Sequence, residues 1–315
     1  MQNLPQNHIP DLDAARDIVK SGDYEIMKIL YGDIPSTLSE LIRTAFIAKP
    51  GYKYVVSDYS AIEARVLSYL ANETWRMDVF ANNGDIYCES ASQMFHVPVV
   101  KNGINGELRQ KGKIAELALG YGGGVGALKA MGAMQYGVQE DELQSLVSAW
   151  RKASPHIVKL WWDVDRAAKK ALSEHVPTHI TNGRCTLTFH YEHGMLFIEL
   201  PSGRHIAYAR PMIGKNQYGG EGITYMDKTW TRVETYGPKL VENITQAFAR
   251  DVLAYAMQTL RDRFICAHVH DELIIEVPEG TKKEEIQNLM GMTPPWAPGL
   301  LLRADGYETK YYLKA

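Results

Sequence analysis

The chain carries only three cysteines in 315 residues, and Cys88, Cys185 and Cys266 lie far apart without CxxC spacing. That scarcity argues against a disulfide framework or a cysteine-based zinc site and fits a reducing compartment. No apolar run approaches the roughly 18 residues of a membrane-spanning helix, and no charged-then-apolar leader opens the chain. The expected location is therefore cytoplasmic, with no membrane partner. Charge of one sign is not in excess either, with a net charge of -3 and a pI near 6.4. Any nucleic-acid binding must then rest on a local patch. Internal repeats, low-complexity tracts and clear linkers are missing. Gly122-Gly123-Gly124 is not a Walker phosphate loop, because no Gly-Lys-Ser/Thr accompanies it.

What is present is a 45% hydrophobic chain, long enough for one large or two smaller folded units. Its organising stretch is Phe264-Ile265-Cys266-Ala267-His268-Val269-His270-Asp271-Glu272-Leu273-Ile274-Ile275-Glu276-Val277. Two short β-branched runs flank an acidic pair, which predicts a hairpin with Asp271 and Glu272 at or beside its turn. Carboxylates on a stiff hairpin suit a hard cation such as Mg²⁺; an ordinary tight turn with solvated acids is the other reading. A second acid, Asp58, ends a predicted strand, Tyr52-Lys53-Tyr54-Val55-Val56-Ser57-Asp58. Ser60 then reads as the cap of a helix, with Glu63 at the capping-box position. Asp58 is placed for chemistry at a strand end, or else is another helix-capping acid.

The polar, proline-punctuated start reads as an extended arm, followed by helical pattern over 11–30, broken at Ser21-Gly22-Asp23, and a short element over 39–46. Residues 74–150 read as mainly helical, and 140–174 as continuing amphipathic helix with Trp150, Trp161 and Trp162 as packing anchors. Within this region Arg109, Lys113, Leu117 and Tyr121 recur every four residues, a helical stripe about 18 Å long. Two cations, an aliphatic and an aromatic could follow a triphosphate and then a base, or form a solvated basic face. Residues 176–236 alternate short strands with Asn182-Gly183, His193-Gly194 and Ser202-Gly203, a series of hairpins. A helix over 242–261 carries Asn243, Gln246 and Arg250. A helix over 282–290, a proline-rich turn and a strand over 307–313 complete the chain.

Three of these segments, in order, resemble motifs A, B and C of family A DNA polymerases, the group of bacterial DNA polymerase I and many phage replicative enzymes. They are Asp58-Tyr59-Ser60-x-Ile62-Glu63-x-Arg65, Arg109-x₃-Lys113-x₇-Tyr121-Gly122, and His270-Asp271-Glu272. The likeness extends to Gln2-Asn3-Leu4-Pro5-Gln6-Asn7, Arg43-Thr44-Ala45-Phe46-Ile47, Asp85-Ile86 and the Gln246 helix, and its wording is nearest to phage enzymes. The resemblance implies an α+β right-hand fold: an antiparallel palm sheet with packed helices from 1–73 and 176–315, and a helical fingers insertion over 74–175. It implies DNA replication chemistry, a nucleotidyltransferase acting on primer-template DNA and dNTPs with two Mg²⁺ ions, Mn²⁺ being able to substitute. Asp58 and Asp271 would hold the metals with the Tyr59 carbonyl, and Glu272 would support them. Arg109 and Lys113 would bind phosphates, Lys113 also giving a proton to the leaving group. Glu63 would be the steric gate against a ribose 2′-hydroxyl, and Tyr121 would lie under the templating position. Gln246, His270, Asn243 and Arg65 would lie toward the DNA. For a phage protein the location is the host-cell cytoplasm.

The sequence departs from the family at Leu117, where a Phe or Tyr ring is usual, and at Tyr87, where a phosphate-contacting His is common; a phenol donates one bond but brings no cation. The Thr-Gly-Arg segment, the thumb and an exonuclease domain are not found ahead of Leu4. The expectation is a core beginning inside the palm with weak, poorly processive DNA binding, partnered by a separate thumb, exonuclease polypeptide or processivity factor. A non-catalytic or accessory DNA-binding fragment is the alternative. A nuclease is a third reading, which leaves the spaced cations without a use.

Overall fold

The computed structural model describes residues 4–216 and 219–313; Gln2 and Asn3 of the opening motif lie outside them. In chain order the elements are α1 (Leu12–Ser21), α2 (Tyr24–Tyr31), α3 (Ile34–Leu41), β1 (Tyr52–Tyr59), α4 (Ile62–Ala71), α5 (Thr74–Ala81), α6 (Ile86–Phe95), α7 (Leu108–Leu119), α8 (Val125–Ala130), α9 (Leu143–Ala153) and α10 (Pro155–Glu174). Then follow β2 (Thr178–Thr181), β3 (Thr186–Glu192), β4 (Met195–Glu199), β5 (His205–Lys215), β6 (Glu221–Met226), β7 (Arg232–Thr235), α11 (Gly237–Thr259), β8 (Phe264–Val269), β9 (Glu272–Pro278), α12 (Lys283–Met290) and β10 (Ala304–Thr309). The expected mixture of helices and antiparallel sheet is found.

The chain divides into two compact units. The first comprises 1–60, 253–292 and 302–315. Its sheet has the order β10-β1-β9-β8 with every pair antiparallel. Because side chains alternate across a strand, Tyr54, Val56 and Asp58 share one face. On that face Tyr54, Val56, Val269 and Ile274 pack with Tyr312 and Ala48. Val55 and Ile275, both fully buried, face the other way. Three short helices precede the sheet, and the aspartates Asp11, Asp23 and Asp33 cap them by accepting backbone N–H bonds from Ala14, Ile26 and Ser36. The third begins at Ile34, where Asp33 and Pro35 form a strong start signal, and within the short element expected over 39–46 lies a 3₁₀ turn, Ile42–Ala45.

The second unit comprises 61–252 and 293–301. Helices α4 to α10 precede a six-stranded meander in the order β2-β3-β4-β5-β6-β7, as the hairpin pattern predicts. His193 (φ 48°) and Gly194 (φ 77°) form the two-residue turn between β3 and β4. The helix expected over 140–174 is two helices, broken at Ser154-Pro155, since proline cannot donate the backbone bond a continuous helix needs. Trp150 and Trp161 are buried and stacked at 6.1 Å and 9°, whereas Trp162 is half exposed and is not an anchor.

Two local readings are corrected. Ser60 does not begin a capping box: α4 starts at Ile62 with Ala61 in the left-handed region at φ 52°, and the Glu63 carboxylate accepts a bond from Tyr121 instead. The four-residue stripe is also shorter than expected, because α7 ends at Leu119 and Tyr121 lies on the following turn.

Candidate active site

In the first unit, the organising stretch folds as expected into two strands joined by a two-residue turn, His270-Asp271, with Val269 opposite Glu272. His270 is exposed and adopts φ 53°, a conformation that suits His better than β-branched residues and keeps the turn tight. The ladder then sets the acids in register. Asp58 on β1 pairs with Glu272 on β9 and with Asp305 on β10, and the Tyr59 N–H donates to the Asp271 carbonyl at 3.3 Å. Asp58 and Asp271 thus occupy neighbouring ladder positions although roughly 200 residues separate them in sequence. Asp58 is exposed, Asp271 half-buried and Glu272 buried.

Glu272 points into the first unit rather than out of it. Its Oε1 accepts a bond from the Tyr312 hydroxyl at 2.8 Å, and that hydroxyl accepts from Arg43 Nη1 at 2.9 Å. Arg43 also donates through Nε to the Pro5 carbonyl at 2.7 Å and through Nη2 to the Leu4 carbonyl. Burial, reinforced by the Glu272 carboxylate, pushes the Tyr312 phenol up, so it remains a hydrogen-bond donor at neutral pH. Tyr59 is buried as well, its hydroxyl donating to the Met290 carbonyl at 2.7 Å, and burial likewise raises its pKa. Nothing in the sequence singled out Tyr312 or the role of Arg43; only the arginine's place in Arg43-Thr44-Ala45-Phe46 could have drawn attention to it.

Among the described residues no group of three or more His, Cys, Asp or Glu side chains is arranged to hold a metal ion. The groups offered at this end of the sheet include the Asp58 and Asp271 carboxylates and the Tyr59 backbone carbonyl. That set fits Mg²⁺, which is commonly held by one or two carboxylates with substrate phosphates and water completing its octahedron.

In the second unit, α7 carries the cations. Arg109 Nε donates to Asp85 Oδ2 at 2.7 Å, and its guanidinium lies 5.2 Å over the Tyr87 ring. Asp85 also caps α6 through Oδ1, so one carboxylate orients both the α6 start and Arg109. Burial raises the Tyr87 phenol, with the Glu116 and Asp85 charges adding to it. Lys113 is half-buried one turn along, and Leu117 is half exposed. Tyr121 donates to Glu63 Oε2 at 2.9 Å, and burial holds its phenol well above the usual range.

Two contacts set where α7 lies. A Cβ at Gly112 would come within 2.1 Å of the Tyr87 carbonyl oxygen, so only glycine lets α6 and α7 approach this closely. Gly112→Ala is expected to lower thermal stability by about 1–3 kcal/mol through overpacking. An unchanged melting temperature would show that the helices have slack there. The second contact is a buried network about Glu116 with no local signature in the sequence: Arg76, Ser90 and Trp150 all donate to its carboxylate.

The residues expected toward DNA divide in two. Gln246 is exposed on α11. Asn243, one turn earlier, donates its amide to the Tyr208 hydroxyl at 2.8 Å, and burial pushes that phenol up to about 12. Arg65 is buried at 5% exposure, donates to the Leu301 carbonyl at 2.9 Å and stacks 4.4 Å over Phe80. No helix among the described residues is long and apolar enough to cross a membrane.

Comparison with known proteins adds an independent line. The family model described as DNA polymerase family A matches residues 31–293. The chain is 51% identical to a DNA polymerase of Bacillus phage SP02, an alignment that covers all of this chain and 49% of that protein. It is 27% identical to DNA polymerase I of Pseudomonas aeruginosa over 76% of this chain and 22% of the relative. The chain therefore spans about half the length of its phage relative and less of the bacterial one. Among solved structures, it resembles the POL domain of Pol1 from M. smegmatis in complex with DNA primer-template and dNTP. That match has a TM-score of 0.56 and 20% identity, and covers 89% of this chain and 43% of the other.

Proposed function

Because this chain belongs to DNA polymerase family A, we propose that it catalyses template-directed DNA synthesis, transferring a nucleotidyl group from a dNTP to a primer 3′-hydroxyl. The observation that carries this reading is the ladder register: Asp58 opposite Glu272, with the Tyr59 N–H on the Asp271 carbonyl. Rigid strands hold these acids at one end of the sheet, as a reaction that tolerates little positional slack requires.

In this reading Asp58, Asp271 and the Tyr59 carbonyl would hold two Mg²⁺ ions, which would lower the pKa of the attacking hydroxyl and offset charge on the transferring phosphate. Glu272 keeps the hairpin oriented. Arg109 and Lys113 bind the triphosphate of the incoming nucleotide, with Tyr87 adding a single hydrogen-bond donor. Lys113 gives a proton to the departing pyrophosphate oxygen, which carries the developing charge. Glu63, fixed by Tyr121, fills the volume a 2′-hydroxyl would need, and Leu117 offers the sugar and base an aliphatic surface. Tyr121 closes the templating position, while Gln246 and His270 face the primer-template and Asn243 and Arg65 support them. The sheet of the first unit belongs to the palm, and helices α5 to α10 to the fingers. Primer-template DNA and dNTPs are the partners.

Extension of a labelled primer annealed to a template, with Mg²⁺ and dNTPs, tests this directly. The chain is expected to add the complementary nucleotide, and an Asp271→Ala variant is expected to fall to background. No extension above that variant at any protein concentration rejects the activity, and shortening of the primer would point to a nuclease.

A further inference from the structure

We infer that Tyr312 is a positioning residue for the reaction, the middle of a buried relay that anchors the Asp271 turn to Arg43 and the 4–5 segment. The inference rests on the polymerase reading for its consequence in catalysis, but not for its geometry. The turn has only two residues, so its orientation is set by what holds the first residue of β9. That residue is Glu272, and its carboxylate accepts the Tyr312 hydroxyl at 2.8 Å. The hydroxyl in turn accepts Arg43 Nη1 at 2.9 Å, and Arg43 is fastened by two further donations to the backbone carbonyls of Pro5 and Leu4.

Glu272, Tyr312 and Arg43 are 4%, 0% and 2% exposed, so water does not compete for these bonds. In such surroundings a chain of charge-assisted bonds is directional and costly to break. The Tyr312 ring is itself locked, packed among Val56, Val269 and Ile274 with the Arg43 guanidinium 5.3 Å from its centre. Three stretches remote in sequence are thereby tied to one acid: 4–5, Arg43 and Tyr312. The turn is held from its other side by the Tyr59 N–H on the Asp271 carbonyl. With the relay in place the Glu272 side chain has one orientation; without it that side chain can swing, and the turn it flanks is held less firmly.

Tyr312→Phe removes the hydroxyl and leaves the ring. Loss of an outer hydrogen-bonding partner of this kind commonly costs 10–100-fold in activity. The variant is therefore expected to extend primers about 10–100-fold more slowly in kcat, with the KM for dNTP unchanged within about twofold. In the absence of DNA and metal, amide hydrogen exchange of the peptide spanning the 268–274 turn is expected to quicken by the same order. The matched variant Tyr311→Phe, which removes a surface bond to Asp13, is expected to change neither reading. Unchanged exchange at the turn in Tyr312→Phe, or unchanged kcat, overturns the inference. Should wild-type protein fail to extend primers at all, the polymerase reading falls, and the exchange measurement alone still decides whether the relay holds the turn. If Tyr312→Phe does not fold, Glu272→Gln and Glu272→Ala decide instead. The amide oxygen should keep the turn protected and the methyl should not; equal protection in both overturns the relay.

Discussion

Asp58→Asn is expected to depress primer extension by about 10³-fold or more. The loss follows from charge. Asparagine keeps an oxygen and the volume of the side chain but carries no charge to offset a cation, so the proposed metal site would be weakened. Steady-state extension beside urea unfolding checks this: a variant within tenfold of wild-type activity would remove Asp58 from the mechanism, and a loss of extension matched by a clear loss of stability would show the acid to be structural.

Glu116→Ala is expected to lower the stability of the helical unit by about 3–5 kcal/mol, a fall of roughly 5–15 °C in melting temperature. The carboxylate is buried, with 6% side-chain exposure, against an Arg76 side chain at 1%. Arg76 Nη2 donates to Glu116 at 2.8 Å and to Ser154 at 2.8 Å, and Trp150 Nε1 donates to Glu116 at 2.9 Å. Ser90 completes the cluster, which gathers α5, α6, α7 and α9 around one side chain. Removing Glu116 strands a guanidinium away from water, and the cost of that uncompensated charge exceeds the loss of the bonds themselves. Replacing Arg76 as well, by methionine, is then expected to recover much of the loss, so the two substitutions should be far from additive. Unfolding followed by tryptophan fluorescence reads this where it happens, since Trp150 belongs to the network. A loss below about 1 kcal/mol would mean that water reaches the cluster. Because α7 also carries Arg109 and Lys113, a partial loss of order here should raise the KM for dNTP before the unit unfolds.

These two cases show what was legible in the sequence. Asp58 and Asp271 were, because strand periodicity is strong around them and the motifs have a fixed wording. The six-stranded meander was too, since Asn182-Gly183, His193-Gly194 and Ser202-Gly203 carry the backbone freedom that hairpin turns require. Glu116 was not, because a glutamate inside a helix looks the same in sequence whether it meets solvent or an arginine forty residues away. Tyr312 escaped for the same reason: its hydroxyl acts on a residue forty positions earlier, and no local pattern encodes that. Where local signals misled, a tertiary contact had prevailed. Glu63 has the spacing of a capping box but is taken by Tyr121, and the stripe to Tyr121 has helical spacing but outruns its helix.

The interleaving of the sheet also has a bearing on how the molecule is made. Strand β1 finds neither neighbour nearby: β9 and β10 both follow the whole 61–252 stretch. On a ribosome, β1 emerges before both of its partners and must wait, while the helices and meander behind it can fold from contacts close in sequence. Closing the loop costs about 0.6 kcal/mol more for each doubling of its length, and pairing cannot begin until β9, Glu272–Pro278, starts to emerge. The acidic end of the sheet is thus assembled only after the 61–252 stretch has been made. Nascent chains halted before that point cannot carry the proposed chemistry, whatever else they have folded.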